Sequence, residues 1–473
     1  MNKVPLKLAL PALILVLGTS AAPLATLDAA AAKGATSFAW KVQALPPAIG
    51  RHRASFGEPG IISGRHHKLV INAARANVGY PTLWVSRDNG VTWGPGRDFD
   101  ASGSRTGDAD AQIGADGHLY ALNLAFKNPP SQSSNPAILI YRSRHWHHWR
   151  GPADFPPPHG QDQPDRPWLV TDPSRAKRVD MFNSEGVGDI VSWRSHDHAR
   201  SFTGPTPVTG ASNAGSVELS SRPLIDPNHH KRIFMVYEAS STSTPSPGTP
   251  RDFPVTQLWT ARSDDGGLTW TNALALDITT AFGSSGRGGS LGHILPASAI
   301  DTAGNLYAVF SLRRGDQTRT HLYLIHSTDR GDTWSGPVRV DSSPLASNVL
   351  PAISAGTPGR LDVSWYGSRA GDFTAAHARW GEMFAQSLDA LSGHPSFAQS
   401  RISRPGHAVH VGSVNCAGNP GSNLYDWDLR DFQGITIDAG GMAHVTWTND
   451  RHRGRIYVAR QRSGHRLRVP ARR

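Results

Sequence analysis

The chain has 473 residues, 48 of them glycine, 35 proline and one cysteine, and carries a formal net charge of +11. A single cysteine excludes an intrachain disulfide, and abundant glycine and proline without a sustained helical period exclude a helical bundle in favour of short strands and turns. The basic balance suits an acidic partner, such as an acidic glycan or a cell-surface polymer, or simply a solvated basic surface.

The first 32 residues have the pattern of an export signal. Lys3 and Lys7 precede an apolar run over residues 8–18, interrupted by Pro11, and small residues follow with several cleavage points between Ala21 and Ala32. No later stretch is apolar for long enough to cross a membrane. The expectation is a secreted monomer, extracellular or periplasmic, with one domain over 33–463 and an unstructured basic tail over 464–473.

Within that domain an eight-residue pattern recurs: SRDNGVTW at 86–93, SDDGGLTW at 263–270 and STDRGDTW at 327–334, with a decayed copy, SHDHARSF, at 195–202. The pattern S-x-D-x-G-x-T-W reads as a turn between strands. Asp88, Asp265 and Asp329 can accept from their own backbone, the following glycine supplies a positive φ, and Thr-Trp opens a strand.

Around these turns the chain divides into seven units of roughly 40 to 65 residues, each of four short strands. The fifth is the clearest, with an inner strand at 296–300, a second at 305–312, a third at 321–326, the motif turn, and a fourth at 334–340. The second, sixth and seventh units show no motif. The seventh also lacks a fourth strand, and the segment 37–45 (SFAWKVQAL) has strand character. Pairing it with the last unit leaves no open sheet edge. The prediction is an all-β propeller of seven four-stranded blades, with six blades as the alternative. Two stretches, 239–254 and 400–423, read as a mobile loop and a linker.

The repeated motif resembles the Asp box, or BNR repeat, of the sialidase superfamily. RPWLVTDP at 166–173 and DFQG at 431–434 look like segments of exported bacterial BNR-repeat proteins. The resemblance implies a propeller with the motif turns on the face away from the active site. Inner-strand starts and second-to-third loops then ring the opposite mouth: Glu58, Asp108, Asp110, Asp165, Arg166, Glu218, Arg222, His293, Asn348, Asp428, Arg430 and Asp431, with Glu238, Tyr366 and Arg369 among the loop positions.

Sialidase chemistry, as the resemblance implies it, uses three arginines on the substrate carboxylate, an aspartate as acid/base, and a tyrosine nucleophile activated by a glutamate. Arg166, Arg222 and Arg369 are the candidate arginines. Asp110 and Asp165 are the candidate acids, and Tyr366 with Glu238 (or Glu218) is the candidate nucleophile pair. The Arg-Ile-Pro signature of the family is absent, and Glu58 precedes Pro59 where the first arginine belongs. Two functions follow: a secreted glycoside hydrolase of exo-α-sialidase type, or a non-catalytic propeller binding glycan or protein at the mouth. No cofactor, no metal spacing and no nucleic-acid partner is expected. The histidines at 145, 147 and 148 read as an exposed turn on the far face.

Overall fold

The computed structural model describes residues 37–49, 56–74, 80–100, 102, 105–126, 136–153, 164–185, 189–209, 217–240, 255–283, 291, 295–314, 319–342, 344–414, 429–452 and 454–468. Residues 1–32, read above as an export signal, most of the 239–254 stretch read as a loop, Cys416, His293 and Asp428 lie outside them.

The chain is an all-β propeller of seven antiparallel blades. The inner strands begin with Gly57–Ser63, Arg105–Ile113, Asp165–Thr171, Val217–Ser220, Ala297–Ile300, Ser347–Ala355 and Gly434–Ile437. Six blades have four or five described strands and the second has three. Seven apolar clusters fill the seams between neighbouring blades. In the seam between the last blade and the first, for example, Ile456 and Val458 pack against Ile61, Ile71 and Trp84. Each second strand is buried on both faces, as Leu69–Ala74 shows, because it is sandwiched between two such seams.

The ring closes as the sequence predicts. Trp40–Ala44 pairs with Arg455–Gln461 from Trp40↔Gln461 to Ala44↔Tyr457, so the first strand of the chain is the fourth strand of the seventh blade. Seven blades, not six, are present.

The motif turns share one hydrogen-bond set. Ser86 Oγ donates to Asp88 and accepts from Gly90 N, while Asp88 accepts from Thr92 N and Thr92 Oγ1. The turns at Asp265 and Asp329 repeat it. So does the decayed copy at Asp197, with Ala199 and Ser201 in place of Gly and Thr. Two consecutive residues are left-handed in each: Asn89–Gly90, His198–Ala199, Gly266–Gly267 and Arg330–Gly331.

The sixth blade differs from expectation. Ser387 donates to Asp389, which accepts from Ser396 N and Oγ, so the same device survives there around a loop three residues longer. The tail also differs. Leu467 is fully buried, its N–H donates to Gly441 O, and its carbonyl accepts from Thr357 N. The segment through 468 is therefore docked across blades six and seven.

Candidate functional site

The mouth is built by a repeated defect in the inner strands. Register shifts fall between Gly57 and Gly60, between Thr106 and Ala109, opposite Phe182–Ser184 in blade three, and between Val349 and Ala352. Such bulges bend a strand and re-aim its side chains. Glu58, Arg166 and Leu350 sit at these bulges with φ of 52°, 48° and 55°, and Arg430, just before the seventh inner strand, has φ 61°. The first three precede proline, which itself restricts the preceding residue to extended conformations. Non-glycine residues held this way cost on the order of 1–3 kcal/mol each and cluster where function requires them. The backbone also fits closely: a side chain at Gly57 would meet Arg430 Cγ at 2.9 Å.

These bulges bring together Glu58, Asp108, Asp165, Arg166, Arg430 and Asp431. Arg166 Nη1 donates to Asp431 Oδ2 at 2.6 Å, and its Nε lies 3.9 Å from Asp165 Oδ2. The attraction of Asp431 and Asp165 outweighs desolvation and raises the Arg166 pKa, so this guanidinium stays charged. Glu58 is buried, and its Oε1 accepts from Asp431 N at 3.4 Å. Burial, then the charges of Asp108 and Asp431, push the Glu58 carboxyl well above the ordinary range. Asp108 is pushed up to about 7, by burial first and then by Asp165. The Asp108 charge thus favours protonated Glu58, while the hydrogen bond from Glu58 favours ionised Asp108, as expected for two coupled carboxyls. Phe432, next in sequence to Asp431, packs with Trp168 and Leu295, its ring 5.2 Å from that of Trp168; Trp168 and Leu295 are buried and Phe432 is half-buried.

The other expected residues fall elsewhere. Asp110 is buried and accepts from both terminal nitrogens of Arg222, at 2.8 and 2.6 Å, and from Leu169 N. Arg222 also lies over the Trp168 ring at 4.7 Å. Asp110 and Arg222 thus clamp blades two, three and four. Arg369 is exposed in blade six, in the field of Arg401, so the three arginines do not converge. Tyr366 is fully buried in the seam between blades six and seven, where its hydroxyl accepts from Thr448 N. Glu238 is buried in blade four, on the strand face that carries Val236 toward blade five. The glutamate paired with Tyr366 is instead Glu382, directly across the sheet. Burial, then the Glu382 charge, pushes the Tyr366 phenol well up, and burial raises Glu382 as well. The side chain of Glu218 is outside the described residues.

Glu58 and Asp108 are legible in the sequence as ring positions but not as a pair of raised carboxyls. The signal that marks the position is a residue followed by proline at an inner-strand start, seen at Glu58, Arg166 and Leu350.

No protein-family profile matches the chain, and no curated protein is significantly similar to it. Solved structures share its fold. A protein of unknown function from Dyadobacter fermentans is 13% identical, covering 89% of this chain and 99% of its own, with a TM-score of 0.50. An ulvan lyase of polysaccharide lyase family PL25, solved with -[GlcA(1-4)Rha3S]-, is 11% identical over 89% of this chain and 94% of its own, TM-score 0.51. The polysaccharide lyase Uly1 is 9% identical over 92% and 94%, TM-score 0.52. At these identities the likeness is one of fold.

Proposed function

We propose that the protein is a carbohydrate-active propeller, a glycoside hydrolase whose mouth uses Glu58 and Asp108 as its acid/base pair. The observation that carries this is the placement of buried Glu58 and half-buried Asp108 at the bulged starts of adjacent inner strands, where both carboxyls are raised above their ordinary range. Asp108, hydrogen-bonded to Glu58 and poised near neutral pH, protonates the departing glycosidic oxygen and regains its proton through Glu58, while Asp165 or Asp431, as general base, takes a proton from the water that attacks the anomeric carbon. Two of the fold's neighbours act on polysaccharides, which agrees with this reading at the level of fold alone.

The finer form of the proposal, an exo-α-sialidase exported to meet an acidic glycan or cell-surface polymer, rests on the motif resemblance and the basic charge. It makes a definite demand: a substrate carboxylate has to displace Asp431 from Arg166, and among the described residues Arg166 and Arg430 are the two guanidinium groups acting on the carboxyl cluster. Glycosides without a carboxylate make no such demand, and the geometry favours them.

The test is release of reducing ends from neutral and acidic glycans, with a fluorogenic sialoside alongside. Turnover abolished by Glu58→Gln supports the assignment. Turnover of the sialoside that survives Glu58→Gln and collapses in Tyr366→Phe would move the site to the blade six–seven seam. An unsaturated product would make the enzyme a lyase. Binding without turnover would leave a glycan-binding module.

A further inference from the structure

The face opposite the mouth carries a cluster that the carbohydrate reading does not use. Asp116 lies in the tight turn between the inner and second strands of blade two, closed by Gly117 N to Gly114 O. His118 follows it. His198 comes from blade three, at the left-handed position of the decayed motif turn, with φ 62°. One ligand atom from each of the three lies within 4.8 Å of the others. More closely, His118 Nδ1 is 2.8 Å and His198 Nδ1 3.6 Å from the same oxygen, Asp116 Oδ2. The two imidazoles lie 4.6 Å apart between centroids.

We infer that Asp116, His118 and His198 form a transition-metal site of the Zn2+ type that joins blade two to blade three. Three chemical facts favour it. Two neutral imidazoles and one carboxylate are a donor set that borderline divalent metals take, leaving a fourth position open to water. Donors around a tetrahedral zinc stand roughly 3.3 Å apart, given bonds of about 2.0–2.1 Å, and the observed 2.8 and 3.6 Å bracket that spacing. The backbone also fixes the cluster: His118 N donates to Asp116 Oδ1 and His198 N donates to Lys177 O. The Tyr120 hydroxyl stands 3.0 Å from His198 Nδ1, a contact that a metal on that nitrogen replaces.

The equivalent place in another seam shows what the plain structural solution looks like. At the same turn position in blade one, Asn89 donates directly to Asp438 of blade seven at 2.6 Å. A direct hydrogen bond ties that seam. In the blade two–three seam the residues are metal ligands, side chains at most 30% exposed, open enough for an ion to enter.

The experiment uses the full chain, purified without a histidine tag and stripped with chelator, titrated with ZnCl2 by calorimetry and followed by thermal melting. The expected result is one Zn2+ per chain with a rise in melting temperature, as binding to the folded state alone requires. His118→Ala and His198→Ala should each weaken that binding at least about tenfold and lose the melting gain. Asp116→Asn, a near-isosteric change, should do the same if either histidine variant folds poorly. A variant with His145, His147 and His148 all changed to alanine should bind as the parent does. The inference is overturned if the folded parent takes up no Zn2+, or if affinity and melting gain are unchanged in the cluster variants.

Discussion

Arg166 reaches Asp431, 265 positions further along the chain, at 2.6 Å, and so ties blade three to the start of blade seven at the mouth. The guanidinium is less than one-fifth exposed, and it is surrounded by Asp165, Asp108 and Asp431. Removing it leaves like charges facing one another. Arg166→Ala should destabilise the fold by about 3 kcal/mol in urea unfolding, the range for breaking a largely buried pair. Asp431→Asn should cost less, because Asp165 still neutralises the arginine.

The pH dependence of stability should have two limbs of separate origin. The Asp108 carboxyl rises from 3.8 to about 7 in the folded chain, so between those values the folded state holds a proton that the unfolded chain has released. Its contribution is full below about pH 4 and is lost as pH rises toward 7. Asp329, hydrogen-bonded by Thr333, is lowered to about 2; its contribution is full above about pH 4 and is lost as pH falls toward 2. Thermal melts across pH should therefore show Asp108→Asn reducing the neutral limb, which Glu58 shares, and leaving the protein more stable than the parent at about pH 8. Asp329→Asn should reduce the acid limb by its own share, since Asp197 and Asp265 are lowered as well.

Much of this fold was legible because its determinants are local. The S-x-D-x-G-x-T-W turns state their own hydrogen bonds, and the strand at Trp40–Ala44 was found because the seventh unit was one strand short. The sixth turn escaped because three extra residues separate Asp389 from Ser396, which breaks the spacing while keeping the bonds. The candidate site was less legible. Which mouth residues meet depends on bulges that rotate Glu58 and Arg166, and no periodicity reports a bulge. Asp110 and Arg222 carried suitable chemistry at a suitable height, but they face each other across the seams. The pairing of Tyr366 with Glu382 is a matter of strand register, which sequence fixes only through the whole blade.

The docked C-terminal segment gives a third prediction. Leu467 is fully buried, packed against Gly356 and bonded to Gly441 and Thr357. Leu467→Ala should lower stability by about 2–4 kcal/mol, the usual range for a large-to-small change in a core. Removal of residues 465–473 should do at least as much, read by the shift in urea midpoint.

Tyr366→Phe separates a seam residue from a mouth residue. The hydroxyl accepts from Thr448 N, so its loss leaves a buried donor unpaired and should cost about 1–3 kcal/mol in urea unfolding. Turnover by the folded fraction should be unchanged if the chemistry lies at Glu58 and Asp108.

The central claim is that the mouth carboxyl pair does acid/base chemistry on a glycan, and the pH–rate profile tests it most directly. On whichever glycan the parent cleaves, kcat/KM should fall as pH rises through about 7, the value at which Asp108 loses its proton. Asp108→Asn should lose on the order of 100-fold or more in rate together with that limb, since general acid catalysis contributes at this scale. An Asp108→Asn protein that keeps both the rate and the limb would contradict the assignment.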